Sequence, residues 1–157
     1  METARDMLAA VEAALPADVF IAVAAVADWR PAEILEGKIK KTKGGAPPCL
    51  DMVENPDILR SLSAAGNQRP ALVVGFAAET DNVLANATAK RERKGCDWIV
   101  ANDVSPDTGT FGGDRNTVHL ITADATEDWP AMAKSDVAAR LAERIATHFA
   151  NLREAAE

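Results

Sequence analysis

Cysteine is scarce in this 157-residue sequence, which contains only Cys49 and Cys96. A domain with two cysteines is not built on a disulfide framework, and such cysteine usage is typical of the reducing cytoplasm, where we expect the protein to work. No run approaches the roughly 18 apolar residues that cross a membrane, so no membrane partner is expected. The first residues lack the basic segment and apolar core of a secretory signal.

An excess of positive charge is also missing. Seventeen Lys and Arg residues oppose 24 Asp and Glu residues, and the net charge is −7, so we expect no nucleic-acid partner. The sequence contains neither G-x-G-x-x-G nor G-x-S-x-G. His119 and His148 have no cysteine or carboxylate at metal-ligand spacing, so no zinc site is predicted.

An apolar run that ends in charge is the most informative feature that is present. Residues 19–27 carry no polar side chain, and Asp28, Trp29 and Arg30 follow before Pro31. The run predicts a strand buried on both faces, as in parallel sheets. Since open α/β sheets bind ligands outside the carboxyl ends of their strands, Asp28 is a candidate ligand residue. The alternative is a plain ion pair between Asp28 and Arg30.

Helical and strand patterns alternate along the chain and predict one domain over residues 1–157. Thr3 and Asp6 indicate a capping box for a first helix, and Asp81, Gly95 and Ser135 are interpreted as further helix ends. The predicted helices cover 4–15, 55–65, 82–94 and 135–149, and the further strands cover 71–77, 97–101 and 116–122. The fold class is a Rossmann-like three-layer α/β/α domain with a mostly parallel sheet. Residues 31–53 are interpreted as a β-hairpin arm with strands at 37–41 and 49–53.

Further polar or aromatic groups fall at predicted strand ends and in loops. They are a lysine cluster at positions 38, 40, 41 and 43, the pair Phe76 and Glu79, the pair Lys90 and Lys94, and Asn102-Asp103. Each has a structural alternative, because lysines mostly lie on solvated faces and Phe76 fits a core position. Taken together, lysines and carboxylates suit a polyphosphate with a divalent cation, and a strand-end aromatic residue can stack on a base.

Five strings occur in order: A-A-V-A-D-W-R-P (24–31), K-I-K-K (38–41), N-P-D-I-L (55–59), V-G-F-A-A-E-T (74–80) and A-N-D-V-S (101–105). Through them the chain resembles the C-terminal part of phosphopantothenoylcysteine synthetase, over about residues 3–149. The resemblance implies a ligase of coenzyme A biosynthesis. In that reaction CTP activates the carboxylate of 4′-phosphopantothenate as an acyl-cytidylate, and the amine of cysteine then displaces CMP.

The resemblance also implies residue roles. Lys38 would be the catalytic cation that stabilises developing negative charge. The implied CTP-binding residues are Ala22, Val23, Ala24, Asp28, Pro56, Asp57, Ile58, Leu59, Phe76, Lys90 and Lys94. Mg²⁺ or Mn²⁺ would assist, with ligands unassigned, and a homodimer would form through the 31–53 arm, which would also serve as a flap. FMN would belong only to a decarboxylase domain that this chain does not contain.

One departure from the family pattern bears on activity. The family's synthetase domain begins with a strand and a Gly-rich turn that this sequence does not show, so we expect an N-terminally truncated domain that is inactive or impaired by itself. Trp29 also stands where the family often has tyrosine. Two other functions stay open: a Rossmann-type NAD(P)-binding domain, and a catalytically silent oligomerisation module built around the arm.

Overall fold

The computed structural model describes residues 1–34, 37, 39–40, 49–105, 108 and 113–155. The helices are α1 (Ala4–Ala13), α2 (Ile58–Ser63), α3 (Val83–Lys94) and α4 (Lys134–Glu154), with a short 3₁₀ turn at Gly66–Gln68. The strands are β1 (Val19–Ala22), β2 (Trp29–Pro31), β3 (Met52–Glu54), β4 (Leu72–Glu79), β5 (Trp98–Asp103), β6 (Arg115–Ile121) and β7 (Thr126–Ala133).

Five strands form the main sheet in the order β1-β4-β5-β6-β7. Strands β1, β4 and β5 are mutually parallel, and β6 is antiparallel to both of its neighbours. Four of the five strands therefore point in the same direction, which confirms the prediction of a mostly parallel sheet. Strands β2 and β3 form a separate antiparallel ribbon.

Helices cover both faces of this sheet. On one face, Val137 and Leu141 of α4 pack against a buried cluster that includes Val100 and Trp129. On the other face, Ala87 of α3 and Leu59 of α2 pack with residues such as Ile99. The three-layer α/β/α arrangement that the sequence predicts is therefore present, with the core divided between the two faces of one sheet.

The prediction of a doubly buried strand over residues 19–27 is wrong. Strand β1 ends at Ala22, its side chains are half-buried or exposed, and Val23 is 62% exposed. The physical reason is position: among the described residues β1 pairs only with β4, so it is an edge strand. An apolar run alone does not reveal how many neighbours a strand has.

The arm also differs from its prediction. Its paired strands are β2 and β3, with Trp29 opposite Glu54 and Pro31 opposite Met52. The predicted 37–41 strand is not formed at Gly37, Ile39 or Lys40, and the rest of it lies outside the described residues. The ribbon therefore forms at the base of the 31–53 excursion.

Helix ends test the capping predictions directly. Thr3 and Asp6 do form a capping box at α1, and Gly95 ends α3 with a left-handed φ of 69°. Asp81 does not cap α3, because the cap position belongs to Asn82 at φ 43°. Ser135 does not cap α4 either, because that helix begins one residue earlier, at Lys134.

Strand β7 has no counterpart in the sequence prediction. Pro130 interrupts its pattern, and the register between β6 and β7 shifts near this point, as at a β-bulge. Proline is tolerated there because β7 is an edge strand of the sheet. Within the described part of the chain, no helix is long and apolar enough to cross a membrane.

Candidate functional site

Strand β1 ends alongside the middle of β4, which continues for four more residues, 76–79. Ala22 lies opposite Gly75 in the parallel register, and Phe76 follows Gly75 in β4. Val23 and Ala24 are exposed. The structure thus brings together two groups of candidate residues that are about 50 positions apart in the sequence, at the edge where α/β sheets bind ligands.

Helix α2 approaches the same edge by packing closely on β4. A Cβ atom added to Gly75 would lie 2.6 Å from Leu59 Cδ2 and 2.8 Å from Ile99 Cδ1. Real Cβ atoms do not come this close to other carbons, so only glycine admits this contact without a shift. Ile58 is 7% exposed and anchors the helix in the core. The candidate segment 56–59 is therefore held against β4 by the absence of a side chain at Gly75.

Asp57 and Lys94 form an ion pair with each other. Asp57 is also the N-cap of α2 and accepts a hydrogen bond from the backbone N of Arg60 at 3.1 Å. Burial raises the pKa of Asp57, but the hydrogen bonds from Lys94 and Arg60 outweigh burial, and the pKa lies below its ordinary value. Lys94 is accordingly a half-buried ammonium group with a fixed position at the C-terminal end of α3.

Asp28 carries an exposed carboxylate that has no partner among the described residues. The alternative ion pair between Asp28 and Arg30 does not form. Arg30 instead donates to the backbone carbonyl of Glu54, across the β2–β3 ribbon. Asp28 is thus available to an external ligand at the carboxyl edge.

Phe76 lies on the opposite face of the sheet from Leu59. It is half-buried and packs against the cluster that contains Leu72, Val74 and residues of α4. Phe76 thus takes the core position in part, whereas its contact with a ligand stays a prediction. Phe76 is the last large side chain on this face of β4.

Asn102 is a site residue to which the sequence analysis gave no role. It is 9% exposed, lies opposite Ala78 of β4, and shares the sheet face of Val100 and Phe76. The available signal was a polar residue that ends the otherwise apolar strand Trp98-Ile-Val-Ala.

The remaining candidates contribute less to the described geometry. Lys90 is half-buried on α3, one turn before Lys94. Lys38, the predicted catalytic residue, lies outside the described residues. In the described ranges no group of three or more His, Cys, Asp or Glu residues is arranged to hold a metal ion.

A cavity of about 300 Å³ lies at the opposite, amino edge of the sheet. Its lining includes Arg91, Trp98, Arg144 and His148, and none of the predicted site residues. The charged groups around it are largely engaged: Arg144 pairs with Glu127, and Asp97 pairs with Arg69. The candidate site is instead the open surface at the carboxyl edge.

The fold and this edge define an α/β protein whose candidate ligand groups follow the carboxyl ends of parallel strands. Over residues 1–149 the chain matches the family described as the DNA/pantothenate metabolism flavoprotein C-terminal domain. The chain belongs to this family, which confirms the resemblance found in the sequence.

Individual relatives agree with that membership. The coenzyme A biosynthesis bifunctional protein CoaBC of Escherichia coli (strain K12) is 43% identical over 149 residues, covering 94% of this chain and 36% of that protein. The crystal structure of a CoaBC C-terminal domain is 30% identical, with a TM-score of 0.72, over 96% of this chain and 65% of that one. A Streptococcus pneumoniae DNA/pantothenate metabolism flavoprotein, 17% identical with a TM-score of 0.70, covers 95% of this chain and 69% of that one and shares the fold. The chain spans about a third of the length of its curated CoaBC relatives.

Proposed function

We propose that this chain contributes the nucleotide-binding part of a CTP-dependent phosphopantothenate–cysteine ligase. The observation that carries the proposal is that Ala22 lies opposite Gly75, with Leu59 packed on one face of β4 at this position and Phe76 on the other face. The relatives that the chain matches are named as bifunctional proteins of coenzyme A biosynthesis. The reaction joins 4′-phosphopantothenate to cysteine through an acyl-cytidylate.

The chemistry of the edge fits a nucleotide triphosphate. Phe76 offers an aromatic edge to the base or ribose, and the amide of Asn102 offers a hydrogen-bond donor and acceptor next to it. Lys90 and Lys94 supply positive charge for the triphosphate on the other face of the sheet. Lys38 is proposed to stabilise the charge that develops as the carboxylate attacks the α-phosphate.

A divalent cation fits this arrangement through its usual mode of binding. Mg²⁺ commonly keeps several waters and is held by one or two carboxylates together with substrate phosphates. Asp28, with its exposed and unpartnered carboxylate, suits such a role within the described residues. Mg²⁺ or Mn²⁺, when bound, would neutralise phosphate charge, while the residues of this chain hold and orient the nucleotide.

The arm is proposed to form a homodimer contact. Several large apolar side chains on and beside the β2–β3 ribbon are exposed, among them Ile34 at 81%, Trp29 at 54%, Leu50 at 52% and Met52 at 47%. Clustered exposure of this kind marks an interaction surface. Sedimentation of the wild type and of Met52→Lys tests the contact: a dimer that persists in the variant contradicts it.

Calorimetric titration with Mg²⁺ and CTP, ATP, UTP or NAD tests the proposed function. We expect saturable binding that is tightest for CTP. Binding of NAD without CTP would favour the dinucleotide-binding alternative, and a stable dimer that binds no nucleotide would favour the silent oligomerisation module. In a ligase assay on a full-length CoaBC relative, the Gln variant of the lysine that matches Lys38 should lose turnover. The Gln variant at the position that matches Lys40 is the matched control.

A further inference from the structure

Asn55 follows the end of β3 and extends the pairing of the β2–β3 ribbon by one position, opposite Asp28. Its backbone N donates to the carbonyl of Asp28 at 2.7 Å. Its side-chain Nδ2 donates to the carbonyl of Ala27 at 2.8 Å. Residues 23–27 are exposed and belong to no strand, whereas Asp28 is followed directly by β2, so the side-chain bond to Ala27 extends the hold of the ribbon one residue into this segment.

The sequence around Asn55 makes it a stiff connector. Pro56 follows it, and a residue before proline is restricted to extended backbone, which suits the end of the β2–β3 ribbon. Asp57 comes next, caps α2, and pairs with Lys94. Only one residue, Pro56, therefore separates the residue that contacts the Asp28 carbonyl from the residue that contacts the Lys94 ammonium.

We infer that Asn55 is a positioning residue that holds the exposed Asp28 segment, residues 23–28, in a fixed arrangement with the start of α2. The inference rests on the proposed nucleotide-binding function and deepens it. Asn55 acts through backbone carbonyls and need not touch the nucleotide. Without the side-chain amide of Asn55, the Asp28 segment would sample several positions. The free energy of nucleotide binding would then be less favourable by the free energy needed to order the segment.

Three variants separate this role from a general effect on folding. Asn55→Ala removes both polar atoms of the side chain, and Asn55→Asp keeps the shape but replaces the Nδ2 donor by an acceptor facing the Ala27 carbonyl. Asn67→Ala is the matched control, because Asn67 is exposed in the 3₁₀ turn and makes no side-chain hydrogen bond within the described residues. Each protein is studied by hydrogen exchange with mass spectrometry, by thermal unfolding, and by calorimetry with CTP and Mg²⁺.

We expect both Asn55 variants to speed amide exchange in the peptide that covers residues 23–31 and to weaken CTP binding by about fivefold to tenfold, the effect of one hydrogen bond. The midpoint of thermal unfolding and exchange in β4 and β5 should stay close to wild type. Asn67→Ala should match the wild type in all three measurements.

Every other result contradicts either the inference about Asn55 or the proposed nucleotide-binding function. Unchanged exchange over residues 23–31 in Asn55→Ala overturns the inference, whether or not CTP binds. Faster exchange with unchanged CTP affinity reduces Asn55 to a structural contact and also overturns it. Wild-type protein that binds no CTP overturns the proposed function instead, and the exchange result then decides the fixed arrangement by itself.

Discussion

Gly75→Ala is the substitution whose effect can be worked out most directly from the structure. The new methyl group would lie 2.6 Å from Leu59 Cδ2 and 2.8 Å from Ile99 Cδ1. Carbon atoms pack favourably at about 3.5–4.0 Å, so each of these side-chain ends must withdraw by roughly 1 Å. Ile99 is fully buried in β5, and Leu59 belongs to a helix that carries candidate site residues.

The expected loss of stability follows from two opposing effects. Overpacking a tight core contact costs about 1–3 kcal/mol. Replacing a strand glycine by alanine recovers roughly 0.5–1 kcal/mol through the smaller backbone entropy of the unfolded chain. Taking the middle of each range, the net destabilisation is about 1 kcal/mol, which lowers the midpoint of thermal unfolding of a domain of this size by about 2–4 °C.

Calorimetric and urea unfolding of the wild type and four variants measures this effect. Gly37→Ala is the control, because a Cβ at Gly37 meets nothing within 4 Å among the residues that the structure describes. Leu59→Ala and the double variant Gly75→Ala/Leu59→Ala complete a double-mutant cycle. If the clash with Leu59 is the cause, the double variant should be about 1 kcal/mol more stable than additivity predicts.

Two outcomes would refute this reasoning. One is a Gly75→Ala protein as stable as the wild type, which would mean that α2 does not pack on β4 at this distance. The other is strict additivity in the cycle, which would place the strain elsewhere than at Leu59. Because α2 begins at the candidate site, Gly75→Ala should also weaken CTP binding, while Gly37→Ala should leave it unchanged.

Three further changes have defined outcomes. Arg69→Ala should destabilise the fold by about 1–2 kcal/mol in urea unfolding, because the half-buried carboxylate of Asp97 loses two hydrogen bonds of 3.0 Å from Arg69. An unchanged urea midpoint would contradict this. Because the pKa of Asp57 is lowered in the folded state, the ionised carboxylate stabilises the fold above about pH 4, and this stabilisation is lost as the pH falls through the lowered pKa. Asp57→Asn should therefore reduce the pH dependence of the unfolding midpoint, measured between pH 2 and 6. Lys94→Gln should weaken CTP binding about tenfold, whereas the exposed neighbour change Arg93→Gln should have little effect; equal effects would point to general charge.

Elements with local signals were predictable from the sequence. The capping box at Thr3 and Asp6 needs only four adjacent residues, and it forms as expected. Strands β4 and β5 were recognised because both are central and buried, so every position in them is apolar or small until the carboxyl edge. Gly95 ended α3 because a left-handed residue at that position favours glycine.

The errors arose where the outcome depends on neighbours distant in sequence. The 19–27 run has the composition of a central strand, yet β1 lies at an edge and stops after four residues. Strand β7 was missed because its alternation is broken at Pro130, although Trp129 beside it is 1% exposed. Such edge strands are defined by their partner, which no local pattern contains.

In the candidate site, too, the sequence predicted residue types but not the contacts between residues distant in sequence. The motifs identified Asp57 and Lys94 separately, but these residues are 37 positions apart in the sequence. Only the packing of α2 against α3 reveals that they pair. Asn55 was part of a recognised string, yet its function as a connector depends on the carbonyls of Ala27 and Asp28 across the ribbon. Residue types were predictable, whereas their contacts were not.

The residues proposed to contact the nucleotide lie on both faces of the sheet. Asp57 and Lys94 lie with α2 and α3 on one face, whereas Phe76 and Asn102 lie on the face covered by α4. A nucleotide that contacts both groups must pass from one face of the sheet to the other. In the proposed binding mode the base therefore lies toward α4 and the triphosphate toward α3.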